Sequence, residues 1–143
     1  MRAWACLPVA LALVSCGKNE GADCGGTAPV AGTWEYHGTQ TVPAPGATLA
    51  GNLIVSEVTG CSFNGSMSVD QTPMGGGSVT TLAGTLFGVA VSADVINYDV
   101  TLNGGAPRTH VAEVFGDSLN GTWVEGSGTL APRGTFWARR TGP

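Results

Sequence analysis

Two histidines, His37 and His110, and one serine in a turn-like setting, Gly116-Asp117-Ser118, are where a search for chemistry begins in this 143-residue chain. A serine nucleophile needs a histidine to take its proton and a third group to orient that histidine. No histidine follows Ser118 in the chain and no helical pattern follows it either, so the cluster reads as a hairpin turn. Zinc wants closely spaced Cys and His ligands, but no cysteine lies close in sequence to either histidine, and no metal is expected. Glu35, Glu57, Asp99, Glu113 and Glu125 fall on predicted strands. Paired carboxylates cleave glycosidic bonds, but the alternation around these five reads them as outward-facing polar positions. His37 and His110 read as partly exposed strand residues, not catalytic bases. Gly75-Gly76-Gly77 lacks the Lys and Ser/Thr of a phosphate loop and reads as a flexible loop. The residues therefore predict a non-enzymatic protein without cofactor.

The elements that must position these residues are strands. Cys61, Phe63, Gly65, Met67 and Val69 alternate with Ser62, Asn64, Ser66, Ser68 and Asp70; Ile96, Tyr98, Val100 and Leu102 alternate with polar partners such as Asn97, Asp99 and Thr101. Period two with one apolar face marks half-buried strands. Turn residues cut the chain into about eight strands, near 30–37, 48–58, 61–70, 78–87, 94–103, 107–115, 118–125 and 134–140. A tripeptide of Gly, then Ser or Thr, then a large apolar residue recurs as Gly32-Thr33-Trp34, Gly65-Ser66-Met67, Gly84-Thr85-Leu86, Gly121-Thr122-Trp123 and Gly134-Thr135-Phe136, with Gly51-Asn52-Leu53 as a variant. Glycines within strands permit the sharp bends of a closing sheet. Short links favour antiparallel sequential neighbours, and closure removes exposed edges. The fold class predicted is all-β: an eight-stranded antiparallel up-and-down β-barrel, residues 30–143, after a signal peptide and a flexible tether.

Ahead of the barrel lie Arg2, an apolar run from Ala3 to Val14, and the Gly-rich stretch 16–29. About a dozen apolar residues are too few for a span, which takes roughly 20, and suit a signal peptide. The residues alone leave open an ordinary secretory signal with Cys16 as a thiol. Leu13-Val14-Ser15-Cys16, however, resembles the lipobox of bacterial lipoproteins. That resemblance implies a signal peptide over 1–15, cleavage before Cys16, and acyl chains such as palmitate on Cys16 that hold the protein to the lipid bilayer. Each buried methylene contributes about 0.8 kcal/mol to such an anchor. Gly17, where an Asp would imply inner-membrane retention, points to the outer membrane of the cell envelope. In that oxidising setting Cys24 and Cys61 are expected to form a disulfide, worth roughly 4 kcal/mol in the chain-entropy model. An up-and-down order puts both at the tethered end. Without the leader, five basic residues oppose ten acidic ones, which excludes the electrostatics of nucleic-acid binding.

Gly32-Thr33-Trp34 opening the first strand, with Arg139 and Arg140 closing the last, resembles the calycin superfamily of lipocalins, fatty-acid-binding proteins and avidins. The resemblance implies that Trp34 stacks with Arg139 or Arg140 and closes one barrel end by a cation–π contact. Read without it, Trp34 is a core aromatic and the arginines a solvated terminus. Gly116-Asp117-Ser118-Leu119 also matches the signature of the GDSL lipases and esterases, but their late Asp-x-x-His is missing here.

Two functions follow. A lipocalin-like binding module would hold a small apolar ligand, its mouth framed by Val42, Pro43, Met74 and Arg108. An interaction or inhibitor-type envelope protein would have a filled core and meet a protein partner through its loops. A lumen lined by small residues favours the first; a lumen filled by Trp34, Trp123, Phe63 and Phe136 favours the second.

Overall fold

A computed structural model describes residues 30–143, apart from the side chain of Glu57. The chain forms eight strands: β1 Gly32–Val42, β2 Ala47–Thr59, β3 Ser62–Pro73, β4 Thr80–Ala90, β5 Val95–Leu102, β6 Arg108–Phe115, β7 Ser118–Glu125 and β8 Arg133–Gly142. Each pairs antiparallel with the next, and β8 closes on β1, giving an up-and-down barrel in the order β1 to β8. The signal peptide, Cys16 and Cys24 lie outside the described residues.

Three strands run three or more residues past their expected ends. β1 continues from 37 to Val42, β3 from 70 to Pro73, and β4 from 87 to Ala90. Gly38, Thr39 and Gln40 read as a loop by composition, yet they pair with Leu49, Thr48 and Ala47 on one side and with Phe136, Thr135 and Gly134 on the other. In a sheet without edges a polar run that alternates with glycine still satisfies its backbone.

The recurrent tripeptide has a geometric cause. A Cβ at Gly51, Gly65, Gly84, Gly121 or Gly134 would stand 1.7–2.0 Å from a carbonyl oxygen of the adjacent strand. Only glycine admits this close backbone approach, which bends the strands into a tight barrel. Two residues later in each case a large side chain turns inward: Leu53, Met67, Leu86, Trp123 and Phe136 are all buried. The repeat thus couples a corner to a wedge. Trp34, Tyr36, Phe63, Leu49, Leu53, Ile96 and Leu119 join them, and side chains fill the lumen.

The alternation of directions sorts the connections by end. The links at 43–46, 74–79, 103–107 and 126–132 share the mouth end, while those at 60–61, 91–94 and 116–117 share the opposite, closed end.

Candidate functional site

Strands β5, β6 and β7 place Tyr98, His110 and Trp123 side by side: Tyr98 is in register with His110, and His110 with Trp123. All three turn inward because they share the phase of their buried neighbours, Val100, Ala112 and Leu119. Arg108 lies two residues before His110 on the same face, nearer the mouth.

His110 is fully buried at 0 % exposure, which corrects its expected place as a partly exposed strand residue. Its phase in β6 points it into the lumen, and the lumen supplies the partners a buried imidazole needs. Its Nδ1 lies 3.1 Å from the Arg108 carbonyl oxygen, an acceptor, so Nδ1 donates there. Nε2 is thereby left to accept from the Tyr36 hydroxyl, 3.3 Å away. Tyr98 stacks on the imidazole at 4.4 Å between centroids, and Phe136 packs edge-on against it at 5.2 Å. Burial drives the His110 pKa down to about 3, with the Arg108 charge adding to this and the bond to the Arg108 carbonyl opposing it. Burial pushes the Tyr36 hydroxyl up against the lowering influence of Arg108, and burial followed by Tyr36 raises Tyr98. The cluster is therefore neutral at ordinary pH: it offers hydrogen bonds and flat ring faces, not a general base.

Two donors in this region lack partners. The Tyr98 hydroxyl and Trp123 Nε1 are buried and unpaired, whereas Trp34 Nε1 donates to the Val30 carbonyl at 3.0 Å. The other unpaired buried polar atom among the described residues is Asn97 Oδ1, on an outward-facing position of β5.

Arg108 covers the cluster. It is only 7 % exposed and stands at the mouth end of β6. Its Nε donates to Glu125 Oε2 at 2.5 Å, its guanidinium sits 4.9 Å from the Trp123 ring centre, and a terminal nitrogen donates to Gln71 Oε1 at 3.3 Å. Glu125 is on neighbouring β7 but Gln71 is on β3, so Arg108 reaches over the top of the lumen. Glu125 accordingly turns toward the mouth instead of standing free on the outer wall.

The closed end repeats the arrangement. Arg140 lies 4.3 Å from the Trp34 ring centre, donates to Asp117 Oδ1 at 3.0 Å, and also donates to the Ala31 carbonyl. Arg139, one residue away, is exposed and stands opposite Glu35 on β1. Asp117 thus serves the closed-end cap and Gly116, at φ +57°, makes the β6–β7 turn, which accounts for the Gly116-Asp117-Ser118 motif structurally. Val42 ends β1, Pro43 and Met74 are at the mouth, and the Met74 amide donates to the Gly46 carbonyl, tying two mouth loops together. Cys61 sits at the β2–β3 turn and is not a free thiol. No group of three or more metal-ligating side chains occurs among the described residues.

The outer wall carries grooves of its own. One is lined by Phe87, Val89, Asn97, Asp99 and Thr109; another by His37, Thr39, Thr48, Asn120, Thr135 and Trp137. Composition flagged neither, because alternation alone does not show which outward residues meet across strands.

No family model and no curated protein matches this chain in sequence. Solved structures share its fold. One, described as EF1p2_mFAP2b bound to DFHBI, is similar at a TM-score of 0.60 and 12% identity over 78% of this chain and 93% of its own. Another, a fluorescence-activating β-barrel designed de novo, is similar at 0.57 and 15% identity with the same coverage.

Proposed function

We propose that this chain is an envelope-anchored, non-enzymatic binding barrel that takes a small, flat, mostly apolar ligand bearing hydrogen-bond acceptors in the mouth half of its lumen. The observation that carries this reading is the pair of buried, unpartnered donors, Tyr98 O–H and Trp123 Nε1–H, the second on the indole that Arg108 covers. A buried donor left unpaired costs about 1–3 kcal/mol, which a ligand acceptor would recover. Tyr36 stacks on Phe136 and Tyr98 on His110, and a planar molecule would enter by parting such a pair and lying between its ring faces. Side chains fill this space, so entry requires Arg108 to swing away from Glu125 and Gln71 and act as a gate. The barrels that share the fold support the reading, since one holds DFHBI and another is described as fluorescence-activating.

The filled lumen favours a second reading, in which the barrel is a rigid support and an envelope protein binds its loops or wall. Titration of the purified mature protein with DFHBI and related flat dyes separates the two. The binding-barrel reading expects a saturable rise in emission, weakened several-fold in Trp123→Phe, which keeps the ring and removes the donor. Dyes that elicit no saturable response, or a response indifferent to Trp123→Phe, count against it.

The anchor belongs to the same proposal. Acyl chains on Cys16 would hold the tethered end toward the bilayer, outer membrane before inner, and a Cys24–Cys61 bridge would pin the tether to the β2–β3 turn. The mouth would then face away from the membrane. Metabolic labelling with palmitate should mark the wild-type chain and not Cys16→Ser; a wild type that takes up no label contradicts the anchor.

A further inference from the structure

Trp137 is the one tryptophan of the described barrel that points outward, and it is 46 % exposed on the wall formed by β7, β8, β1 and β2. It does not hang loose. Its indole stacks on the His37 ring at 4.2 Å and 17°, and His37 Nε2 donates to Glu35 Oε1 at 3.0 Å, so the aromatic shelf is braced from two strands. Asn120 on β7 is in register with Trp137 on its other side, giving the cross-strand row Asn120, Trp137, His37, Ala50.

Beside this row runs a second one made wholly of threonines. Thr122, Thr135, Thr39, Thr48 and Thr72 are register partners across five consecutive strands, all on the outer face. Neighbouring strands lie about 4.8 Å apart, so the hydroxyls form a ladder next to the indole. Between the two rows is a groove of about 450 Å³, walled by Trp137, His37 and Asn120 and by the inner rungs of the ladder. The backbone of Gly38 contributes to its floor. The surrounding charge is mixed: Glu35 faces Arg139 across β1 and β8, Glu113 and Asp70 flank the row at its two ends, and Arg133 lies two residues before Thr135.

We infer that this groove is a carbohydrate site that takes a neutral oligosaccharide. A sugar ring has an apolar C–H face and a rim of hydroxyls. The apolar face matches a rigid, half-exposed indole that loses little freedom on binding. The rim matches short side chains that both donate and accept, as threonine and asparagine do. A purely apolar partner would leave these hydroxyls and the Asn120 amide unsatisfied. An anionic partner would find no net positive field, since Arg139 is opposite Glu35 and the charge of Arg133 is outweighed by Glu113 and Asp70 at the ends of the row. The site lies on the outer wall, away from the lumen, and stands whether or not the lumen binds a ligand.

The test is isothermal titration of the purified mature protein with soluble cello-, chito- and malto-oligosaccharides. At least one series should bind saturably. Trp137→Ala should weaken that binding at least about tenfold, Trp137→Phe should restore part of it, and Asn120→Ala should weaken it a few-fold. Phe87→Ala, on the separate groove of β4, should change nothing. Thermal unfolding of Trp137→Ala near that of the wild type shows that a lost affinity is not a lost fold. The inference is overturned if no series binds, if binding survives Trp137→Ala, or if a charged oligosaccharide binds more tightly than its neutral counterpart. Failure of the dye titration with success here would discard the luminal reading alone.

Discussion

Arg140 stands over the Trp34 ring at 4.3 Å, and at the opposite end of the barrel Arg108 stands over Trp123 at 4.9 Å. Each arginine also holds a carboxylate, Asp117 and Glu125 respectively. Each tryptophan closes a Gly-Thr-Trp tripeptide, so the same local sequence builds both caps. Closing the lumen at both ends with an arginine on a tryptophan excludes water from the aromatic core. The paired carboxylate and main-chain acceptors keep the guanidinium satisfied.

The caps are expected to differ in what they hold. Arg140→Ala should cost about 2 kcal/mol of unfolding free energy, mostly the cation–π contact, because the pair with exposed Asp117 contributes little. Arg140→Lys should recover only part of that, lacking the planar fork. Arg139→Ala should stay within about 0.5 kcal/mol. Arg108→Ala should cost more, about 3 kcal/mol, because it strands Glu125 beside the lumen. Denaturant unfolding of the four variants checks the order; equal losses for Arg139→Ala and Arg140→Ala would contradict it.

The glycine corners make a second expectation. A Cβ at Gly84 would lie 1.7 Å from the Thr101 carbonyl oxygen, and at Gly134 1.8 Å from that of Thr39. Gly84→Ala and Gly134→Ala should each cost about 3 kcal/mol or prevent folding, since two paired strands must move apart. Gly116→Ala, in open space but at φ +57°, should cost only the left-handed strain, about 1–2 kcal/mol. Circular dichroism during urea titration measures the contrast, and a tolerated Gly134→Ala would show that the barrel does not need its corners.

His110 sets a pH signature. Its folded pKa, about 3, lies below the value of 6.5 it has when unfolded. Above pH 6.5 both states leave it neutral and it adds no pH dependence. Below pH 6.5 the unfolded chain takes a proton that the fold refuses, so stability falls as pH drops, by about 1.4 kcal/mol per unit, until about pH 3. His110→Phe should be less stable at neutral pH, because Tyr36 loses its partner, yet show a shallower loss between pH 6 and 4. Parallel stability–pH curves for the two proteins would mean that the imidazole is not held neutral.

Much of this architecture is legible in the chain. Gly60, Gly104, Gly116 and Gly126 mark turns where φ is positive, and the alternation of Phe63 to Val69 and of Ile96 to Leu102 fixes which face is inner. Eight strands in sequential order follow from that. The limits of β1, β3 and β4 do not, because runs such as Thr39-Gln40-Thr41 are polar by composition and strands only by pairing. The calycin resemblance leads to Trp34 and a terminal arginine. The second cap has the same tripeptide as its signal, in Gly121-Thr122-Trp123, but no spacing ties Trp123 to Arg108. His110 hides for the same reason: alternation with Thr109 and Val111 gives it a face, while its partners Tyr36 and Tyr98 come from other strands. The Asn120, Trp137 and His37 row exists only as cross-strand register.

The seat beneath Arg108 is the feature on which a binding barrel depends most. Native mass spectrometry of the protein isolated intact from the cells that make it reads that proposed seat directly. The predicted result is a small molecule retained on the chain, its occupancy reduced in Trp123→Phe. Polypeptide without a retained small molecule, together with a co-purifying protein, would contradict it.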